Sequence, residues 1–234
     1  MKTLNYSHKL LALLAISAPL LLSACGSSTQ KTRSYELTVS NLTANQPLSP
    51  VVVFAHEPEY KLWQTGHAAS VALEYLAEGG SNSQLVDEVK ATKHYMSHTS
   101  GTGAIGSGQT ETITISFKNT NWVRLSLASM LVNTNDAFTG LADIEVYNIA
   151  VGESKTFDTL AWDAGTEENT ESSGTIPGPA DGGEGFNASR VGDSNFIAAH
   201  QGVISKDDGF ASSVLNESHR FDNPVARVTI RRIK

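Results

Sequence analysis

The sequence predicts an all-β fold: an antiparallel β-sandwich with one or two short helices and a long Gly/Pro-rich loop. Three observations lead there. Strand-length segments alternate apolar and polar residues with period two. Gly, Pro, Asn and Ser punctuate them at short intervals. Only one segment has the Ala- and Leu-rich composition of a helix, so strands must supply most of the core.

Taken in order, "SYELTVSNL" places Tyr35, Leu37 and Val39 on one face and Glu36, Thr38 and Ser40 on the other. "SPVVVFAH" is a continuous apolar run, the pattern of a strand buried on both faces. "GHAASVALEYLAEGG" reads as helix, with Gly79-Gly80 as its stop. "SNSQLVDEVK" predicts a further turn or two of helix, Ser81 and Gln84 standing at capping-box spacing. "ETITISF" alternates again, pointing Ile113, Ile115 and Phe117 inward. "RLSLASMLV" sets Leu125, Leu127, Ser129 and Leu131 on one face. "GLADIEVYNIAV" and "PVARVTIRRI" continue the strand pattern. Residues 172–195 are rich in Gly, Pro and Ser and read as a long loop.

Before the first strand, Lys2 and Lys9 form a basic region and Leu10–Leu22 an apolar one that also contains Pro19. That run falls short of the ~20 residues a spanning helix needs, and reads as an export signal. It ends in Leu22-Ser23-Ala24-Cys25, which resembles a bacterial lipobox. The expected organisation is therefore a lipoprotein signal peptide over 1–24, an acylated Cys25 and polar tether over 25–34, and a sandwich domain over 35–234. Cys25 is the only cysteine, which excludes an internal disulfide. Gly26 after it suits onward transport to the outer membrane. The expected location is the cell envelope, with contact to the membrane through the N-terminal lipid.

Without Lys2 and Lys9, the 17 basic residues fall to 15 against 24 acidic ones. An acidic domain lacks the basic face that nucleic acid requires. "GTGAIG" (101–106) matches a dinucleotide fingerprint only formally, because an alternating strand follows where a helix is needed. His94 and His98 are four apart, but Tyr95 stands where the zinc-protease pattern has Glu; they read as exposed loop histidines. His56 reads as a structural histidine beside the apolar strand. No serine-nucleophile elbow occurs, and an acylated Cys25 cannot be a nucleophile.

Two acidic loops remain. "NTNDAF" (133–138) and "WDAGTEEN" (162–169) each end a strand segment. Loops gathered at one end of a sandwich can supply the six to eight oxygens that calcium takes. A solvated acidic rim is the competing reading. Counting twelve from Asp163 reaches Gly174, so this is not an EF-hand.

"YELTVSNLTANQPLSPVVVFAH", then "GHAASVALEYLAEGG", "LVNTNDAFTGL", "WDAGTEE" and "NPVARVTIRRI" together resemble the spondin N-terminal domain of F-spondin and mindin, in family order. The likeness is greatest to bacterial, single-domain, lipid-anchored members. The resemblance implies a C2-like Greek-key sandwich with a Ca2+ site in end loops. Asp136 matches the Asp of the family's Pro-Asp-Trp stretch and Asp163 that of Asp-Ala-Gly-Thr. Glu167 replaces a second Asp, and Glu111 matches an upstream strand acid across a gap. Ala137 stands in place of the family Trp, and Ala142 where the family often has Asp, with Asp143 one residue late. Glu168 and Glu171 are expected to be solvated bystanders, and Gly165 to make the turn that aims the ligands. The expected function is a lipid-anchored, calcium-binding recognition or adhesion module, non-enzymatic, with a protein or glycan partner. The alternatives are a metal- or carboxylate-dependent hydrolase of envelope polysaccharide, and a structural envelope protein.

Overall fold

The computed structural model describes residues 1–3, 31–118, 120–190, 192 and 194–234. Cys25 and most of the tether lie outside the described residues. Two antiparallel sheets form the body. The four-stranded sheet runs β4 (Thr110–Lys118), β1 (Thr32–Asn41), β10 (Ala226–Arg232), β7 (Ser154–Thr159). The six-stranded sheet runs β3 (Tyr95–Ser100), β2 (Val52–His56), β5 (Arg124–Met130), β6 (Ala137–Glu145), β8 (Ala161–Asp163), β9 (Ala198–Ala199). The expected all-β sandwich is what forms.

The core follows the alternation. Tyr35, Leu37 and Val39 of β1 and Ile113, Ile115 and Phe117 of β4 meet Val53, Leu125 and Leu127 of the other sheet. A second apolar layer lies on the outer face of the six-stranded sheet, where α1 (Val71–Gly79) and α2 (Ser83–Lys90) pack Leu73, Leu76, Leu85 and Val89 onto Val52, Phe54 and Phe138. This explains the unbroken run in β2: both of its faces are covered. A third, small cluster of Ile176, Val203 and Leu215 lies under the long loops. Among the described residues, every element and every cluster falls within Lys31–Lys234.

α1 starts at Ser70, whose hydroxyl accepts from Leu73 N–H, and ends at Gly80 with φ 68°. Some details differ from expectation. Asn82, not Ser81, is the N-cap of α2, and the Ser81 hydroxyl donates to the Gln84 side chain. β1 begins at Thr32, inside the stretch assigned to the tether. His98 sits on β3, half-buried, with Tyr95 Oη 2.8 Å from its Nδ1, and so is not a loop residue. β3 and β7 were not distinguished in the sequence because their side chains are largely half-buried or polar. His56 is buried as expected, its ring nitrogens bonded to Glu57 O and Ser126 Oγ.

The register defines two ends. Thr32 pairs with Lys118, Tyr35 with Arg232, and Arg231 with Ser154; these mark the proximal end, where β1 begins. Asn41, Met130, Ala137 and Asp163 mark the distal end.

Candidate metal centre

The distal end is built by two polar turns. Between β5 and β6, Leu131 N–H bonds Ala137 O and the Thr134 hydroxyl bonds both Leu131 O and Ala137 N–H. These bonds close the turn so tightly that Asn133, Thr134, Asn135 and Asp136 are all buried. After β8, Gly165 takes φ 70°, and a side-chain carbon there would lie 2.6 Å from Phe196 O and Ser194 Oγ. Glycine is thus required both by conformation and by space. Its N–H donates to Asp163 Oδ1 at 2.7 Å.

β6–β8 pairing sets Ala137 opposite Asp163, which brings the two turns side by side. Asp136 Oδ2 accepts from Thr166 N–H at 2.8 Å and Glu167 N–H at 3.1 Å. Its Oδ1 is buried and has no hydrogen-bond partner. Burial, and then the neighbouring Asp163 carboxylate, push Asp136 up to about 7. Asp163 Oδ2 accepts from Asn169 at 2.7 Å. His200 completes this line. Its Nδ1 accepts from Gly202 N–H, so its Nε2 carries the proton and faces Asn169 Oδ1 at 3.2 Å.

Glu167 is also buried, but its charge is already met. Arg190 Nη1 lies 2.7 Å from Oε2, and Asn135 Nδ2 2.8 Å from Oε1. Burial raises its pKa, and these two partners act the other way. Glu111 stands apart on β4, its Oε1 taken by Thr102 N–H and hydroxyl. No trio of Asp136, Asp163, Glu167 and Glu111 brings carboxylate oxygens within 4.8 Å of one another. Among the described residues only Glu57, Glu59 and His94 meet that spacing, at the proximal end, with both glutamates exposed.

Glu168 is exposed as expected, whereas Glu171 is 1% exposed. It is buried because residues 203–214 fold back over it: Ile204 N–H bonds its Oε1 and Val214 N–H its carbonyl. Its Oε2 has no partner, and burial pushes the carboxyl up to about 7. Asp163, Asn169, Glu171 and His200 line one wall of a cleft of about 660 Å³, with Phe196 and the Asp208–Arg220 pair around it. Glu78, fully buried at the end of α1, completes the acidic set. Its Oε2 accepts from Asn187 N–H, its Oε1 is unpartnered, and burial raises its pKa. Sequence reading missed Arg190, His200, Glu171 and Glu78. The acid in "YLAEGG", sitting among apolar helix positions, was the one available signal.

A two-sheet antiparallel sandwich with paired acidic turns at one end defines the class of the protein as an all-β sandwich module. The family model described as Spondin_N matches residues 32–178, more than half of the chain, and the chain belongs to the spondin N-terminal domain family. Comparison with curated proteins returned no match. The matched span includes Asp136, Asp163 and Glu167 but ends before Arg190 and before β10, which lies between β1 and β7 in the four-stranded sheet.

Proposed function

We propose that the protein is a calcium-dependent recognition module of the cell envelope, non-enzymatic and anchored by lipid at Cys25. The observation that carries the calcium reading is Asp136 Oδ1: a buried oxygen with no donor, beside a second carboxylate and without a cation of the protein's own. An uncompensated buried charge is costly, and a divalent cation removes that cost. Asp136 and Asp163 would hold the ion, with backbone carbonyls and water filling a hard-cation shell. Glu167 serves the site by pairing with Arg190, which fixes the turn that presents its N–H to Asp136. Glu111 forms no close carboxylate trio with Asp136, Asp163 or Glu167 and is left out. The bound ion supplies fixed positive charge and locks the two turns, which frame the cleft for a protein or glycan partner. No step of bond chemistry is needed.

The test is thermal melting with excess EDTA and with millimolar calcium. Calcium binding only the native state raises Tm, and Asp163→Asn abolishes the increment. Coincident curves for the wild type would remove the calcium reading. For the anchor, Cys25→Ala releases the protein from the membrane fraction; a variant that stays there contradicts acylation.

One observation favours a hydrolase as the second reading: Asp163 and Glu171 both line the cleft, and Glu171 is held near 7, where a general acid works at neutral pH. Release of reducing ends from envelope polysaccharide, lost in Glu171→Gln, would establish it.

A further inference from the structure

The proximal end has a surface that the cation site does not account for. Trp122, in the β4–β5 connection, is 71% exposed; Val151, between β6 and β7, is 61% exposed; Tyr147 and Ile233 are exposed beside them. The loop that carries Tyr147 and Val151 is held by hydrogen bonds from β1 and β10. Val123 and Ile149 next to these exposed side chains point into the core. Arg33 Nη1 bonds Tyr147 O at 3.0 Å, Arg232 Nη1 bonds Ile149 O at 3.1 Å, and Gly152 N–H bonds Arg232 O at 2.8 Å. Solvent-facing tryptophan and aliphatic groups at one end of the sandwich mark an interaction surface.

The charge there is opposite to that of the chain, which is −7 overall. Lys31, Lys118, Arg231 and Lys234 are exposed at this end, and the Lys155 ammonium lies beside Asn148 Oδ1 rather than a carboxylate. Three acids share the area. Glu153 accepts from Ala150 N–H, Glu36 faces Arg231 across the β1–β10 pair, and Glu145 is paired with Arg124. On the helix side the same end is mixed, with Glu57 and Glu59 exposed, so the basic surface belongs to the four-stranded sheet.

We propose that this end docks on a membrane surface bearing anionic phospholipid, with Trp122 at the headgroup level and the lysines and Arg231 over the phosphates. Tryptophan favours that depth, and clustered basic residues are drawn to anionic leaflets. Geometry points the same way, on the reading that Cys25 is acylated. Five residues separate it from Lys31, and the six Cα–Cα steps between the two reach about 20 Å at most, whereas the ten-residue β1 is itself about 33 Å long. The lipid can bring only the proximal end to the bilayer. The distal cleft then faces away from the membrane.

The test uses the chain from Lys31, which carries every strand and every apolar cluster of the described residues, in EDTA; its outcome is therefore independent of both acylation and calcium. Sedimentation with vesicles of phosphatidylglycerol and phosphatidylcholine is compared with pure phosphatidylcholine. Binding is expected only to the anionic vesicles, weakening as NaCl rises, with a blue shift of tryptophan emission that Trp122→Ser removes. Each cation reversed costs about fivefold or more, so Lys31→Glu/Lys118→Glu/Arg231→Glu lowers partitioning by more than fiftyfold. Lys90→Glu/Lys206→Glu, exposed elsewhere, leaves it unchanged. Absent sedimentation, equal binding to neutral vesicles, or equal loss in both variants overturns the proposal. Matching melting curves confirm that the variants are folded.

Discussion

The two ends of the sandwich handle charge in opposite ways. At the distal end Asp136, Glu167 and Glu171 are almost completely buried, and each depends on what little surrounds it: a guanidinium and the Asn135 amide for Glu167, the Ile204 N–H for Glu171, two peptide N–H groups and the Thr166 hydroxyl for one oxygen of Asp136, and nothing for its other oxygen. At the proximal end Lys31, Lys118 and Arg231 stand in water, and the apolar Trp122 is exposed at the same end. A count of charges would rank the two ends as comparable. Burial separates them: the distal charges act on the stability of the fold, whereas the proximal ones act only on what approaches it.

The largest test of that contrast is Arg190→Met. It leaves Glu167 buried without a cation, and breaking such a pair costs ~3–5 kcal/mol. Glu167→Gln in the same chain is expected to recover most of the loss, which urea unfolding of the two single variants and the double variant measures. A cost below about 1 kcal/mol would place Glu167 in effective contact with solvent.

Asp136→Asn separates charge from shape. In EDTA it relieves repulsion with Asp163 and is expected to raise stability by roughly 1–3 kcal/mol. In millimolar calcium the order reverses, because the variant no longer gains from the ion. Parallel melting curves check both signs.

Glu171 gives the contrast a pH axis. Its carboxyl is raised to about 7 in the folded chain from an ordinary value of 4.5. Between those values the native state binds more protons than the unfolded one, so stability is fully present below about 4.5 and is lost as pH rises through 7. Glu171→Gln should flatten that slope, worth roughly 1–3 kcal/mol after allowance for screening from the cleft. Denaturant midpoints from pH 4 to 8 measure it. At the proximal end Trp122→Ser should change stability by no more than about 0.5 kcal/mol; a larger loss would make Trp122 part of the core and weaken its role as a docking residue.

What the sequence made legible follows from period and proximity. β1, β4 and β10 alternate cleanly because one face meets the other sheet and one meets water. β2 showed its double burial as an unbroken apolar run. Asp136 and Asp163 were visible because each sits at a strand end, where a turn must follow. Arg190 was not, since it reaches Glu167 from a Gly/Pro-rich loop without periodicity, 23 residues on. Glu171 was misread for a related reason. Its neighbours Glu167 and Glu168 suggest a solvated acidic run, and only the return of residues 203–214 buries it. β7 was missed because Ser154, Lys155 and Thr156 look like a loop, although β10 supplies the backbone partners that make them a strand.

The double burial of β2 has a consequence before folding is complete. Val51–Ala55 is a short, uncharged run of β-branched and aromatic residues, the composition that self-associates as stacked strands when left uncovered. The native chain hides it beneath α1 and α2 on one side and β1 and β4 on the other, and both covers require contacts distant in sequence. Pro50 stands immediately before the run, and Glu57, Pro58 and Glu59 follow His56 after it. Prolines break backbone pairing and acids repel a second copy, so the flanks act as gatekeepers during the interval in which the strand waits for its partners.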